Sequence, residues 1–213
     1  MTDSRRFHDR AEAGQQLGEA LRERGVEADL VLAIPRGGLP LGRAVADALD
    51  APLDVVVAKK IGAPGNPEYA IGAVASNGSV WRNESAFSRR GIDEEYFQRK
   101  RAQEAENARK KAARYRGGRS ELDPAGKTVV LVDDGVATGS TAMACVQQLR
   151  DGDAARIVLA IPVGPPDTVD ELSEMVDEVV CLATPSSFMG VGQFYDDFEQ
   201  VRDEEAMTYL DEE

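Results

Sequence analysis

The chain runs through two hydrophobic rhythms in turn. Ala13, Leu17, Ala20 and Leu21 recur at helical spacing and Gly25 supplies a stop, so an amphipathic helix is expected over residues 9–24. A short continuous apolar run, 30–34, reads as a buried strand. It ends in Pro35-Arg36-Gly37-Gly38, and Pro40 opens a helix over 41–49. Residues 53–58 read as a second strand ending in Lys59 and Lys60, and the Gly- and Pro-rich stretch 61–67 as a loop. Residues 70–76 and 79–82 flank Asn77-Gly78, a strong two-residue hairpin signal. A long charged helix is expected over 93–116, stopped by Gly117-Gly118. A strand at 129–132, a helix at 140–150, a strand at 156–161, a helix after Pro166 and a strand at 178–182 complete the series. Regular alternation of strand and helix predicts an α/β fold with a central, mostly parallel sheet and right-handed crossovers.

Composition narrows the function classes. The 213 residues carry 38 Asp and Glu against 25 Lys and Arg, a formal net charge of −13. That balance argues against a nucleic-acid partner, which needs a basic stripe. It fits either a salt-adapted proteome or a GC-rich genome with a moderately acidic one. No stretch approaches the roughly 18 consecutive apolar residues of a membrane span, and the first ten residues lack the apolar core of a secretory signal. A cytoplasmic protein with no membrane partner is therefore expected. Cys145 and Cys181 lie in apolar surroundings and read as two reduced core residues, with a disulfide as the alternative. The single histidine, His8, argues against His–Cys zinc clusters and a Ser-His-Asp triad, and reads as solvated.

The most informative segment is VVLVDDGVATGSTA, residues 129–142. A buried strand runs straight into Asp133 and Asp134, then into a loop of small residues and hydroxyls, then into a helix. Loops at the carboxyl ends of parallel strands are where open α/β sheets bind ligands. Gly135 and Gly139 allow close backbone approach; Thr138, Ser140 and Thr141 add hydroxyl donors; the following helix offers its positive N-terminus. This composition suits phosphate. The two carboxylates repel phosphate and suit neutral sugar hydroxyls, with a divalent cation nearby. A Walker loop is excluded, since Gly135 and Gly139 are too close and no lysine follows. The dinucleotide fingerprint that Gly190 and Gly192 begin lacks its third glycine.

This order of four apolar residues, two aspartates, three residues, Thr-Gly, one residue and Thr resembles the signature of the type I phosphoribosyltransferases. The resemblance covers roughly residues 30–182, and nearly the whole chain is similar to one uncharacterised subgroup of that family. It implies the type I fold, with a central sheet flanked by helices, a flexible loop and hairpin, and a small hood. The whole of 1–213 would form one domain: a core of about 29–183, and a hood built from the N-terminal helix and residues 184–213. It implies binding of 5-phosphoribosyl 1-diphosphate, with Asp133 and Asp134 on the ribose hydroxyls and the loop from Gly135 through Ala137, Thr138, Gly139, Ser140 and Thr141 around the 5-phosphate. The diphosphate would meet Arg36, Gly37 and Gly38, where family members often hold a non-proline cis peptide.

By the same resemblance Lys59 and Lys60 hinge a catalytic lid over 61–76, expected to be mobile because its glycines and prolines build no core of their own. Arg36, Lys59, Lys60 and Asp134 are the expected catalytic residues. Arg109-Lys110-Lys111 reads mostly as a solvated helix face, with a diphosphate contact as the alternative. Phe188, Phe194 and Tyr195 either stack on a base or pack the core of the hood. Mg²⁺ would ride mainly on the diphosphate, with Asp133 and Asp134 as indirect partners. Ala137 stands where hypoxanthine-guanine members carry an aspartate, so the acceptor base stays open. The expected reaction moves ribose 5-phosphate to a nitrogen nucleophile with release of diphosphate. A non-catalytic regulator that binds phosphoribosyl diphosphate or a nucleotide is the alternative, and a homodimer is left open.

Overall fold

A computed structural model describes residues 6–211, apart from the side chain of Arg90. In chain order its elements are α1 (Arg10–Glu23), β1 (Leu30–Ala33), α2 (Gly38–Leu49), β2 (Leu53–Val55), β3 (Ala58–Ala63), β4 (Asn66–Ala75), β5 (Val80–Arg82), α3 (Glu84–Arg90), α4 (Glu94–Arg116), β6 (Thr128–Val132), α5 (Ser140–Asp151), β7 (Arg156–Val163), α6 (Pro166–Ser173), β8 (Glu178–Ala183) and α7 (Asp203–Asp211). The central sheet has five strands in the order β2-β1-β6-β7-β8, every neighbouring pair parallel. The expected α/β class holds.

Strand periodicity sorts the core into two faces. Leu30, Leu32, Leu131, Ile157 and Leu159 point to one side, where Ala142, Met143, Cys145, Val146 and Leu149 of α5 and Leu172 of α6 cover them. Their neighbours Val31, Val130, Val132, Val158 and Ala160 point to the other, against Ala13, Leu17 and Leu21 of α1 and Leu41 and Val45 of α2. Both faces are covered, which is why these strands read as continuous apolar runs. α1, expected as part of a hood, is instead one of the helices that close this face of the sheet. Cys145 is buried and Cys181 half-buried, and both are free thiols.

The single strand expected over 53–58 is two strands. Val56 N–H donates to Ala33 O at 3.1 Å, continuing the pairing of β2 with β1, whereas Val57 O accepts from the Ser76 N–H at 2.9 Å, at the end of β4. The chain changes partners inside one apolar run, a switch that hydropathy does not mark. The loop expected over 61–67 is also corrected. β3, β4 and β5 form a three-stranded antiparallel sheet, and Ile61, Ala63, Ile71 and Val74 pack with Ala86, Phe87, Phe97 and Ala105 into a core of their own. The premise of a coreless lid over 61–76 therefore fails; the exposed part is 64–68, the turn and the first residues of β4. Lys59 and Lys60 lie within β3, paired with Val74 and Ala73, and do not end a strand.

One buried ion pair ties the second sheet's long helix to the first sheet. Arg116, the last residue of α4, donates from Nε to both oxygens of Asp54 at 3.1 Å and from Nη2 to Val55 O at 2.8 Å. Asp54 in turn accepts from the Val55 and Leu122 backbone at 2.7 and 3.0 Å. Both carboxylate oxygens are thus bonded twice, so the pair is tolerated, but removing one partner strands a buried charge. Arg116→Met should lower unfolding free energy by about 3–5 kcal/mol in urea denaturation, against less than about 0.5 kcal/mol for Arg109→Ala on the exposed face of the same helix.

Candidate active site

β6 delivers Asp133 and Asp134 to the carboxyl end of the sheet, beside the turn that leaves β1. Ile34 N–H donates to Val132 O at 2.9 Å and holds the two chains in register up to this point. The Pro35–Arg36 peptide in that turn is cis, as the family resemblance implies. Gly37 lies directly against the acids: a Cβ there would sit 1.9 Å from Asp134 Oδ2. Any side chain at 37 would have to expel the carboxylate.

Arg10, at the start of α1, meets the same carboxylate from the other side. Its Nε donates to Asp134 Oδ2 at 2.9 Å, its Nη1 donates to Glu199 O at 2.7 Å, and its guanidinium lies 3.9 Å from the centroid of the Phe198 ring. Tyr195 OH donates to Asp134 O at 2.7 Å. Burial raises the pKa of both acids. For Asp133 the charge of Asp134 adds to burial, with Arg10 and Lys60 opposing weakly; for Asp134 the Arg10 guanidinium opposes burial. The charge of Lys60 reaches Asp133 and that of its neighbour Lys59 reaches Lys111.

The loop that follows is shaped by its small residues. Gly139 has φ +69°, a left-handed conformation that favours glycine, and it places Ser140 as the first residue of α5. Val136 N–H donates to Val163 O at 3.0 Å, Thr168 Oγ1 donates to Ala137 O at 2.9 Å, and the Thr138 and Ser140 hydroxyls lie 3.1 Å apart. No side chain caps α5. Its first-turn N–H groups therefore remain available, and such a terminus attracts an anion.

On the far side of Gly37, Arg36 Nη1 lies 3.8 Å from Asp203 at the start of α7. Asp203 also pairs with Arg114 at 2.9 Å and accepts from Tyr115 OH at 2.5 Å, the contact that holds its carboxyl below the usual value. Of the run Arg109-Lys110-Lys111, Arg109 and Lys110 are exposed and pair with Glu106. Lys111 alone turns inward, donating to Pro35 O at 3.5 Å. Burial, then the charge of Lys59, push its pKa down to about 8.

The expected phosphate- and ribose-side residues therefore gather at the carboxyl end of the sheet, while the aromatic residues expected for a base pocket pack among themselves. Phe194 and Tyr195 are 6% and 3% exposed. The first stacks on Phe188 at 5.4 Å, and the second packs between Phe7 and Phe198 at 5.5 and 4.9 Å. Of the two readings for these rings, packing is the one observed for Phe194 and Tyr195; Phe188 is half-buried. Sequence reasoning missed Arg10 and Asp203. Neither lies near a motif, and each meets its partner across most of the chain, 124 positions apart for Arg10 and Asp134. His8 is exposed, as expected. Two adjacent carboxylates offer the oxygen donors a hard cation prefers, but among the described residues no group of three or more His, Cys, Asp or Glu gathers to cage one. No helix among the described residues is long and apolar enough to cross a membrane.

This arrangement of a central parallel sheet, paired strand-end acids and a glycine-hydroxyl loop defines the phosphoribosyltransferase class. Residues 8–199 match the phosphoribosyl transferase domain model, and the chain belongs to that family. It is similar to TT1426 from Thermus thermophilus, whose crystal structure is 42% identical and superposes with a TM-score of 0.83, covering 96% of this chain and 97% of that one. Two Mycobacterium tuberculosis relatives, Rv0571c from strain H37Rv and MT0597 from strain CDC 1551, carry provisional names as phosphoribosyl transferases and are each 41% identical over 205 residues. That match covers 96% of this chain but spans only 46% of their length.

Two consequences can be measured. Because the Asp133 pKa is raised in the folded state, its contribution to stability is fully present below the ordinary value of 3.8 and is lost as pH rises through the folded value. Asn at 133 keeps the acceptor for the Asp134 N–H without the charge. Asp133→Asn should therefore melt above the parent protein at pH 7, by about 0.5–2 kcal/mol, with the gap closing towards pH 4; equal melting at both pH values would refute a costly carboxylate. Gly37→Ala should instead cost about 1–3 kcal/mol by overpacking, read by the same calorimetry.

Proposed function

We propose that this chain binds 5-phosphoribosyl 1-diphosphate and transfers ribose 5-phosphate to a nitrogenous base or related nitrogen nucleophile, releasing diphosphate. The observation that carries the reading is the abutment of Asp134 against Gly37 and of Asp133 against Gly38, with an uncapped helix N-terminus following the acids and Arg36 preceding the glycines. A diol fits between two carboxylates, a phosphate fits an uncapped helix start, and a diphosphate fits an arginine beside glycine amides. These are the three chemical parts of one molecule, and the site offers a place for each.

The reaction breaks the bond from carbon 1 of the ribose to the diphosphate oxygen and forms a bond from carbon 1 to nitrogen. The electron pair of the broken bond leaves with the diphosphate, the nucleophile's nitrogen supplies the new one, and the proton that nitrogen carries passes to the departing diphosphate or to water. No covalent intermediate on the protein is required. Asp133 and Asp134 orient the ring through its hydroxyls, and the loop of Gly135 to Thr141 fixes the phosphate end. Arg36 and Lys59 would meet the negative charge that grows on the diphosphate, with Lys60 nearer the acids. Mg²⁺ bound to the diphosphate would neutralise that charge further, with Asp133 and Asp134 reaching it through waters. Arg10 occupies one acceptor position on Asp134 Oδ2 and leaves others for a ribose hydroxyl. A cytoplasmic setting and assembly as a homodimer both accord with this reading.

Diphosphate release, followed across a panel of bases with Mg²⁺ present, tests the proposal. Turnover with one base class is the expected result. The pair Asp133→Asn and Asp134→Asn should together abolish it, since each hydrogen bond lost from a charged group costs about 1.5–3 kcal/mol of binding. Phosphoribosyl diphosphate that binds tightly in calorimetry yet turns over with no base would favour a regulatory protein. Unchanged affinity in the double variant would remove the ribose assignment.

A further inference from the structure

In a chain with a formal net charge of −13, three cations gather at one edge of the site: Arg36 from the β1–α2 turn, Lys59 from β3 and Lys111 from α4. Arg36 and Lys59 both act on Lys111 as like charges, while Asp203 is the carboxylate that opposes them. Asp203 is already shared, pairing with Arg114 at 2.9 Å and with Arg36 at 3.8 Å and accepting from Tyr115 OH at 2.5 Å. Among the described residues Lys111 has the Pro35 carbonyl at 3.5 Å and the Tyr115 ring, 5.5 Å to its centroid, and no carboxylate within ion-pair distance. It is half-buried, so its ammonium has lost part of its hydration without gaining a carboxylate of its own. The adjacent Arg109 and Lys110 each pair with Glu106. An under-neutralised cation cluster beside a phosphate-type turn is what an anion site requires.

We propose that Lys111 is a further ligand of the diphosphate group, a third cation beside Arg36 and Lys59, supplied by α4 across the junction between the two sheets. This rests on the reading of the site given above. Its Pro35 contact keeps the ammonium over the turn that carries Arg36, so the two donors reach one anion together. The charged and titratable groups facing it are Lys59 from β3, Arg36 from the turn, Asp203 from α7 and Tyr115 from α4 itself. Diphosphate would add the missing negative charge and raise the proton affinity of Lys111, which burial and its neighbours hold at about 8.

The test is calorimetry of the full chain with inorganic diphosphate and Mg²⁺ from pH 6.5 to 9.5, on the parent protein, Lys111→Arg, Lys111→Met and the exposed control Arg109→Ala. Phosphoribosyl diphosphate is titrated into the parent in parallel. At pH 7, Lys111→Met should bind diphosphate roughly 10-fold or more weakly, the scale of one charge-assisted hydrogen bond, and Arg109→Ala should match the parent. Lys111→Arg stays charged throughout. The parent's affinity, taken relative to Lys111→Arg at each pH so that the ligand's own ionisation cancels, should fall as pH rises through about 8, and Lys111→Met should show no such step. A purely structural lysine would change the melting temperature without that pH step. Should Lys111→Met melt early, Lys111→Gln repeats the comparison. A parent that binds phosphoribosyl diphosphate while Lys111→Met and Lys111→Gln bind diphosphate equally well overturns the role of Lys111 alone. A parent that binds neither ligand overturns the reading of the site, and Lys111 with it.

Discussion

Two carboxylates held side by side at the end of a buried strand are an electrostatic liability, and much of the surrounding architecture answers to them. Burial penalises both charges, and the charge of Asp134 penalises Asp133 further. Arg10 comes from the far end of the chain to meet Asp134, and the C-terminal segment holds Arg10 through the Glu199 carbonyl and the Phe198 ring. Phe7 and Tyr195 bring the two ends together through a backbone bridge and a ring contact. The first and last parts of the chain thus serve a pair of residues in the middle of it. Costly groups of this kind persist where they are used, which is the physical link between the burial cost and the binding role.

The opposite edge of the site has the reverse sign. Arg36, Lys59 and Lys111 gather there, and Gly37 lies between the two regions with no side chain to separate them. In the proposed reading the neutral ribose diol would meet Asp133 and Asp134, and the diphosphate would meet the cations at this edge. Charge separation over one short turn would then orient such a ligand.

The second sheet changes how this edge is supported. The segment after β2 pairs into β3, β4 and β5 and builds a core against α3 and α4. Lys59 consequently rides on a paired strand, and Lys111 on a helix anchored at its end by the Arg116–Asp54 pair. Donors held on packed elements keep their geometry better than donors on a free loop.

Much of this was legible in the chain itself. The apolar runs at β1, β6 and β7, the glycine-stopped helices, and the motif from Asp133 to Thr141 are local signals, because strand burial, helix termination and phosphate-loop chemistry are each written within a few neighbouring residues. What only the tertiary structure decided was which distant groups meet. The partner change at Val56 and Val57, the core beneath residues 61–74, the burial of Phe194 and Tyr195, and the pairing of Arg10 with Asp134 and of Asp203 with Arg36 depend on contacts far apart in sequence. Local pattern records whether a residue is to be buried or exposed. It carries no record of the neighbour that will bury it or balance its charge, and in this protein that neighbour sets the protonation of the acids and the direction each cation faces.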